Sequence, residues 1–239
     1  MQTRTEIKDM TNGVSRRAFL TSTTAAAAVV VTGAASPGTS SAVEARIYNP
    51  SYFTQAEWSF VVAAIDRLIP EDDQGPGGVE SGVPEFIDRQ MEAPYGHGAF
   101  AYMSGPFLPD LSPSLGYQLR YTPREMYRVG IAAVDDACRK QHASAFSQLT
   151  PELQDLFLQS LESGATVLEG LPAPAFFAQL LRNAREGFFA DPMYGGNKHM
   201  GAWKMIGFPG ARADFTDWMD QPGRRYPYGP VSVNGSQDS

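Results

Sequence analysis

Two Thr-x-x-Glu sequences constrain the fold of this chain more than any other feature, because each one marks the start of a helix. The first stands at residues 54–57, and the second stands at residues 122–125. In such a capping box the threonine oxygen accepts from a first-turn backbone amide, and the glutamate reaches back to the threonine N–H. Two helices are therefore predicted, one up to Pro70 and one up to about residue 141. Behind the first box the apolar residues recur at helical spacing, at Trp58, Val61, Val62, Ile65, Leu68 and Ile69.

Three further helices are predicted where a proline stands at a first-turn position, which suits its fixed φ and its missing N–H. These prolines are Pro84, Pro151 and Pro174. The second of these helices is expected to end at Gly164, because glycine favours a helix C-terminus. The third is expected to end at residues 191–192, where a proline interrupts it.

The remaining segments indicate long loops and no sheet. Residues 71–78 are acidic and Gly-rich, and residues 93–121 are rich in glycine, proline and aromatic residues without a clear period. There is no convincing strand, no Asn-Gly hairpin between alternating runs, and no repeat. We therefore expect an all-α fold, a small helical domain with long Gly/Pro-rich loops, over residues 46–239.

Residues 1–45 are predicted to form a twin-arginine signal peptide. Arg16 and Arg17 precede Phe19 and Leu20, and a weakly apolar, Ala-rich run follows. The run is shorter and more polar than a membrane-spanning helix, which needs about 20 strongly apolar residues. This signal predicts a periplasmic protein that is exported folded, with cleavage between residues 35 and 45. An ordinary secretory signal, a disordered tail and a retained anchor are the alternatives.

Composition and motifs exclude several classes of function. The formal net charge of −7 argues against nucleic acid, since phosphate binding favours a basic face. The sequence contains no Cys-x-x-Cys-His haem attachment site and no Gly-x-Gly-x-x-Gly after a strand. The only cysteine, Cys138, lies in an apolar helical stripe, which indicates a buried structural thiol. We assign no catalytic or cofactor-binding residue. We also assign no metal-binding residue, because the histidines, His97, His142 and His199, lack metal-ligand spacing.

The densest group of unusual residues lies between positions 187 and 211. Gly-Gly-Asn at residues 195–197 suits positive φ and tight turns, and Trp203 and Phe208 are large apolar residues of the kind that interfaces favour. These residues alone leave open whether the segment binds a partner or is a structural loop in which Trp203 fills the core. A third alternative is an anion site formed by Lys198, His199 and Lys204.

This segment resembles the hallmark of the gluconate 2-dehydrogenase subunit 3 family. The matching stretches are Phe-Ala-Asp-Pro-Met-Tyr-Gly-Gly-Asn at residues 189–197 and Gly-Ala-Trp-Lys-Met-Ile-Gly-Phe-Pro-Gly at residues 201–210. The export signal, the Pro-Glu-Asp after the first helix and the Leu-Thr-Pro at residues 149–151 also agree. The resemblance covers about residues 50–215. Its one minor departure is Ala202, which stands where a second glycine is usual before the tryptophan.

The resemblance implies a non-catalytic small subunit of a periplasmic, FAD-dependent sugar or sugar-acid dehydrogenase. In such complexes a large subunit holds FAD and abstracts hydride, and a multihaem cytochrome c subunit commonly passes electrons to the quinone pool at the membrane. The small subunit carries the twin-arginine signal for the large one and stabilises it. We expect the interface with the large subunit to include Asp191, Tyr194, Gly195, Gly196, Asn197, Trp203, Lys204, Gly207, Phe208, Pro209 and Gly210.

Two functions from other classes stay open. A stand-alone oxidoreductase would use His97 or His199 as its base, and bound flavin or metal in the purified chain would favour it. A free-standing periplasmic binding or scaffold protein would be favoured by a gene without flavoprotein or cytochrome neighbours. The substrate of the complex is not predicted, because its pocket would lie in another chain.

Overall fold

Six α-helices form the part of the chain that the computed structural model describes, residues 48–108 and 111–235. They are numbered α1 to α6 in the order Gln55–Leu68, Val83–Glu92, Pro123–His142, Pro151–Ser163, Ala173–Phe189 and Gly201–Ile206. These two ranges contain no strand, which confirms the prediction of an all-α fold. The predicted export signal, including Arg16 and Arg17, lies outside the described residues.

The start signals of the sequence mark the starts of five helices. In the box before α1, the Glu57 N–H donates to Thr54 Oγ1 at 3.4 Å and the Thr54 N–H donates to Glu57 Oε2 at 2.8 Å. Thr122 and Glu125 form the same pair of hydrogen bonds before α3, at 3.4 and 2.9 Å. Helix α4 is followed by Gly164, whose φ of 76° is the left-handed conformation that glycine adopts easily.

The core forms where α5 packs against α2, α3 and α4. The ring centroid of Phe60 lies 4.9 Å from that of Phe146 and 6.1 Å from that of Phe176, and all three side chains are buried. A methyl group on Gly130 of α3 would lie 2.3 Å from the Phe176 ring. Helices α3 and α5 therefore approach each other as closely as they do only because residue 130 is a glycine.

A buried carboxylate holds the first described residues against α2. Asp88 is 0 % exposed, and its Oδ1 accepts from the N–H groups of Tyr52 and Phe53 at 3.0 and 2.9 Å. Its Oδ2 accepts from the Tyr48 hydroxyl at 2.7 Å and from the N–H and hydroxyl of Ser51 at 2.7 and 2.9 Å. Burial alone would raise the pKa of Asp88, but hydrogen bonds from Phe53, Tyr48 and Ser51 outweigh it and lower the pKa.

The loops agree with the sequence analysis except at one place. The described part of residues 93–121 is irregular apart from a 3-10 turn at Pro113–Leu115. Residues 201–206 form α6, although the sequence analysis treated them as part of a loop. This helix has fewer than two turns and begins on a glycine, so neither an apolar period nor a start signal marks it. None of the described helices is long and apolar enough to cross a membrane.

Candidate functional site

The segment that follows α5, residues 190–200, packs by its backbone against other parts of the fold. A methyl group on Gly196 would lie 2.2 Å from the carbonyl oxygen of Gly187. A methyl group on Gly82, in the turn before α2, would lie 2.5 Å from the carbonyl oxygen of Gly195. Such close approaches exclude a side chain, so these glycines build a buried backbone contact between the segment, α5 and the start of α2.

Asn197 joins the end of α5 to the start of α6. It is 0 % exposed and has a φ of 45°, a left-handed conformation that asparagine tolerates better than most residues. Its Nδ2 donates to the Ala190 carbonyl at 3.0 Å, and its Oδ1 accepts from the Ala202 N–H at 3.0 Å. Both ends of this amide are therefore used inside the chain.

Trp203 packs inward from α6 and is only 6 % exposed. Its Nε1 donates to the Phe189 carbonyl at 2.9 Å. Its ring stands edge-on to that of Phe208, with the two centroids 5.1 Å apart. Trp203 therefore fills space within this chain, which agrees with the alternative in which the segment is a structural loop.

The predicted interface residues divide by exposure into three groups. The buried group is Gly195, Gly196, Asn197 and Trp203, which we call the frame. The exposed group is Tyr194, Lys204, Gly207 and Phe208. The group of intermediate exposure is Asp191, Pro209 and Gly210. A contact between any of them and a partner stays a prediction, and the frame residues would support such a contact rather than supply its surface.

Helix α6 and the residues that follow it expose large apolar side chains. Met205, Ile206 and Phe208 are 41, 57 and 45 % exposed, and we call these three residues the α6 ridge. In the 3-10 turn after α5, Pro192–Tyr194, Met193 and Tyr194 are 43 and 49 % exposed. A cluster of exposed apolar side chains is typical of a surface that contacts another protein.

A groove of about 630 Å³ runs between the end of α6 and residues 225–230, and we call it the tail groove. One wall consists of five predicted interface residues, Trp203, Lys204, Gly207, Phe208 and Pro209. The other wall consists of Arg225, Tyr226, Pro227, Tyr228, Gly229 and Pro230. The structure thus brings the second half of the predicted site together with a segment to which the sequence analysis gave no role.

Residues 211–235, which we call the C-terminal tail, are fastened to the end of the α6 segment. The Val231 N–H donates to the Pro209 carbonyl at 3.2 Å, and the Ala211 N–H donates to the Val231 carbonyl at 2.7 Å. Gly210 has a φ of 72°, and a methyl group on it would lie 2.2 Å from the Val231 oxygen. Only glycine at position 210 permits this approach of the two backbones.

Asp191 provides a second fastening for the tail. Its Oδ1 accepts from the Met193 N–H at 3.0 Å and from the Ser232 hydroxyl at 2.5 Å, and its Oδ2 accepts from the Val233 N–H at 2.8 Å. Burial alone would raise the pKa of Asp191, but the hydrogen bonds from Ser232, Val233 and Met193 outweigh it and lower the pKa. Sequence reasoning missed this role, because Ser232 lies 41 residues further along the chain and no local pattern connects the two.

In the alternative anion site, one of the cationic side chains, Lys198, already pairs with a carboxylate of this chain. Lys198 Nζ lies 2.7 Å from Glu85 Oε2, and the Glu85 carboxylate also pairs with Arg89. The side chains of His199 and Lys204 are exposed. An anion at this place would have to compete with Glu85 for Lys198, so the arrangement favours the structural role of that lysine.

The other candidate side chains are also engaged within the fold. His97 contacts the guanidinium group of Arg124. Cys138 is buried, and this burial raises the pKa of its thiol to about 12, so it is not a nucleophile at neutral pH. Within residues 48–108 and 111–235, no group of three or more His, Cys, Asp or Glu residues could hold a metal ion.

The chain matches a known protein family. A protein-family model described as gluconate 2-dehydrogenase subunit 3 matches residues 55–210, a range that begins with α1 and ends at Gly210. No curated protein and no solved structure matches the chain.

Proposed function

Because the chain belongs to the gluconate 2-dehydrogenase subunit 3 family, we propose that it is a non-catalytic small subunit of a periplasmic, FAD-dependent sugar or sugar-acid dehydrogenase. It binds the large flavoprotein subunit in the cytoplasm and stabilises it. Arg16 and Arg17 then direct the pair through the twin-arginine translocase. FAD belongs to the large subunit, and this chain meets the membrane only through its partners.

The observation that carries the proposal is the exposed α6 ridge. Its three apolar side chains are between 41 and 57 % exposed, and the Phe208 ring packs edge-on against Trp203 of the buried frame. Each Å² of apolar surface left in water forgoes about 25 cal/mol, so a cluster of this kind favours a covering partner. Permanent interfaces are also more apolar than transient ones.

The frame explains how the ridge is presented. The Asn197 amide bridges α5 and α6, and the Trp203 indole is tied to the last residue of α5. These contacts fix α6 without any help from a second chain. A surface that is already fixed loses less conformational entropy when a partner binds, which strengthens binding.

A permanent interface on the order of 2,000 Å² needs more surface than the ridge. The loop at residues 93–121 supplies further exposed apolar side chains, since Phe100 and Tyr102 are both 81 % exposed. We therefore expect the flavoprotein to cover the α6 ridge together with other apolar surface.

The test is purification of the C-terminally tagged full chain from its native periplasm and membranes. We expect a roughly stoichiometric larger polypeptide with a flavin absorption spectrum. Ile206→Glu should lose that polypeptide, because it places a charge in the covered surface, while the circular dichroism and melting temperature of the chain stay unchanged. Leu156→Glu on α4 is the matched control, since Leu156 is 61 % exposed against 57 % for Ile206. That control should retain the flavoprotein.

Four outcomes would contradict parts of the proposal. A lone, colourless chain would remove the flavoprotein partner and favour a binding or scaffold protein, whereas flavin bound to the lone chain would favour an oxidoreductase in its own right. Retention of the flavoprotein by Ile206→Glu would move the interface away from α6. Export of the flavoprotein after Arg16→Lys and Arg17→Lys together would remove the escort role.

A further inference from the structure

The tail groove combines apolar walls with positive charge. Trp203 and Phe208 stand on the α6 side, and Tyr226 and Tyr228 stand on the tail side, with their two ring centroids 5.5 Å apart. Prolines occur in both walls, which reduces the conformational freedom of the groove. Rigid, aromatic-lined grooves of this kind suit extended peptide segments.

The charge of the groove is opposite to that of the chain as a whole. The groove is lined by two cationic side chains, Lys204 and Arg225, and none of the described residues that line it is acidic. The whole chain carries a formal net charge of −7. A basic groove on an acidic protein selects for carboxylates, because complementary charges steer association and suppress wrong partners.

The groove exists only because the C-terminal tail is in place. Residues 225–230 form one complete wall, and the tail is fastened by Gly210 and Asp191 to the segment that carries the other wall. The family match ends at residue 210, so this wall lies outside the matched range. One wall of the groove therefore comes from the matched range and the other from residues 225–230, which follow it.

We propose that the tail groove binds an extended segment of the flavoprotein partner that bears both carboxylate and apolar side chains. The apolar side chains lie against Phe208 and the tail tyrosines, and the carboxylates pair with Arg225. This inference rests on the proposed function, since it names the part of the chain that selects the cognate flavoprotein.

The first test is site-specific cross-linking in the assembled complex. A photo-reactive phenylalanine analogue replaces Tyr228, which is 63 % exposed, in the tagged full chain, and mass spectrometry identifies the cross-linked peptide. We expect a peptide of the flavin-containing subunit that carries Asp or Glu next to apolar residues. A cross-link to a Lys- or Arg-rich peptide, to the chain's own first 47 residues or to a second copy of the chain would overturn the proposal.

The second test is charge reversal. Arg225→Glu should make the purified complex dissociate about tenfold faster after dilution, and this difference should shrink as salt is raised from about 0.05 M to about 0.5 M. Arg185→Glu is the matched control, because Arg185 is also an exposed arginine but does not line the groove. Equal dissociation rates for Arg225→Glu and the wild type would overturn the proposal.

The two proposals fail in different ways. A wild-type chain that brings down no flavin-containing polypeptide refutes the proposed function, and the groove inference falls with it. The groove inference alone is refuted if the wild-type complex forms normally, the variant with the photo-reactive residue at position 228 gives no cross-link, and Arg225→Glu dissociates at the wild-type rate.

Discussion

Replacement of Asp88 by asparagine should destabilise the fold by about 3 kcal/mol, although the two side chains have nearly the same shape. The Asp88 carboxylate is fully buried and accepts five hydrogen bonds. An asparagine amide has only one oxygen and must direct its NH2 group at one set of donors. The least harmful orientation keeps the oxygen at the Oδ1 position, facing the N–H groups of Tyr52 and Phe53.

The magnitude follows from what that orientation loses. The hydroxyls of Tyr48 and Ser51 can rotate and accept from the new NH2 group, but the Ser51 N–H cannot, so one backbone donor loses its acceptor. An unsatisfied donor costs about 1–3 kcal/mol when it is buried, and the low end of about 1 kcal/mol applies here because Ser51 is an exposed residue. The hydrogen bonds from the Tyr52 and Phe53 N–H groups now go to a neutral amide oxygen instead of a charged carboxylate, which removes about 1 kcal/mol each. The expected total is therefore about 3 kcal/mol.

The assay is equilibrium urea unfolding of the purified chain, with the free energy of unfolding extrapolated to water. Asp136→Asn is the control, because Asp136 is an exposed carboxylate that pairs with Lys140 on the surface of α3. We expect the control to unfold at the wild-type urea concentration. If Asp88→Asn unfolds within about 1 kcal/mol of the wild type, the five hydrogen bonds do not hold residues 48–53 as described.

The same carboxylate predicts a dependence of stability on pH. The folded state lowers the pKa of Asp88 below that of the unfolded chain, which is about 3.9. Its contribution is therefore fully present above about pH 4 and is lost as the pH falls through the folded-state pKa. The Asp88→Asn variant should lack this part of the acid sensitivity, and the stability gap between it and the wild type should narrow below pH 4.

Two further predictions concern residues buried in this chain. Trp203→Ala should lower the free energy of unfolding by about 3–5 kcal/mol in the same urea assay, because it leaves a cavity and removes the hydrogen bond to Phe189; a change below about 1 kcal/mol would place the indole outside the core. Cys138 should resist iodoacetamide at pH 8 in the folded chain and take one label in urea, because its thiol is buried and has a pKa of about 12. Rapid labelling of the folded chain, measured by intact-protein mass spectrometry, would contradict that burial.

The sequence predicted the helices whose starts depend on local chemistry. The Thr54 and Thr122 capping boxes and the prolines at 84, 151 and 174 each act within one turn of helix, so they could be read without knowing the tertiary structure. Helix α6 lacks such a signal. It begins on Gly201 and is six residues long, so its existence depends on the contacts of the frame around it.

The candidate site was predictable in position but not in arrangement. The glycines and aromatic residues of 187–211 marked the segment, yet nothing local shows that Trp203 points inward while Phe208 is half-exposed. The tail contacts depend on residues far apart in sequence, as Asp191 and Ser232 illustrate. The buried, hydrogen-bonded role of Asp88 was not predicted for the same reason, because its five donors come from a segment about 35 to 40 residues earlier.

The way the tail is attached makes it a separable module. It is attached in two places: the Asp191 carboxylate accepts hydrogen bonds from residues 232 and 233, and the backbone at Gly210 packs closely against Val231. Both attachment points lie within the family-matched range. Exposed residues of the tail, such as Arg225 and Tyr228, can therefore be changed without disturbing the helical core. A new partner preference would then need changes in exposed tail residues rather than a rebuilt domain.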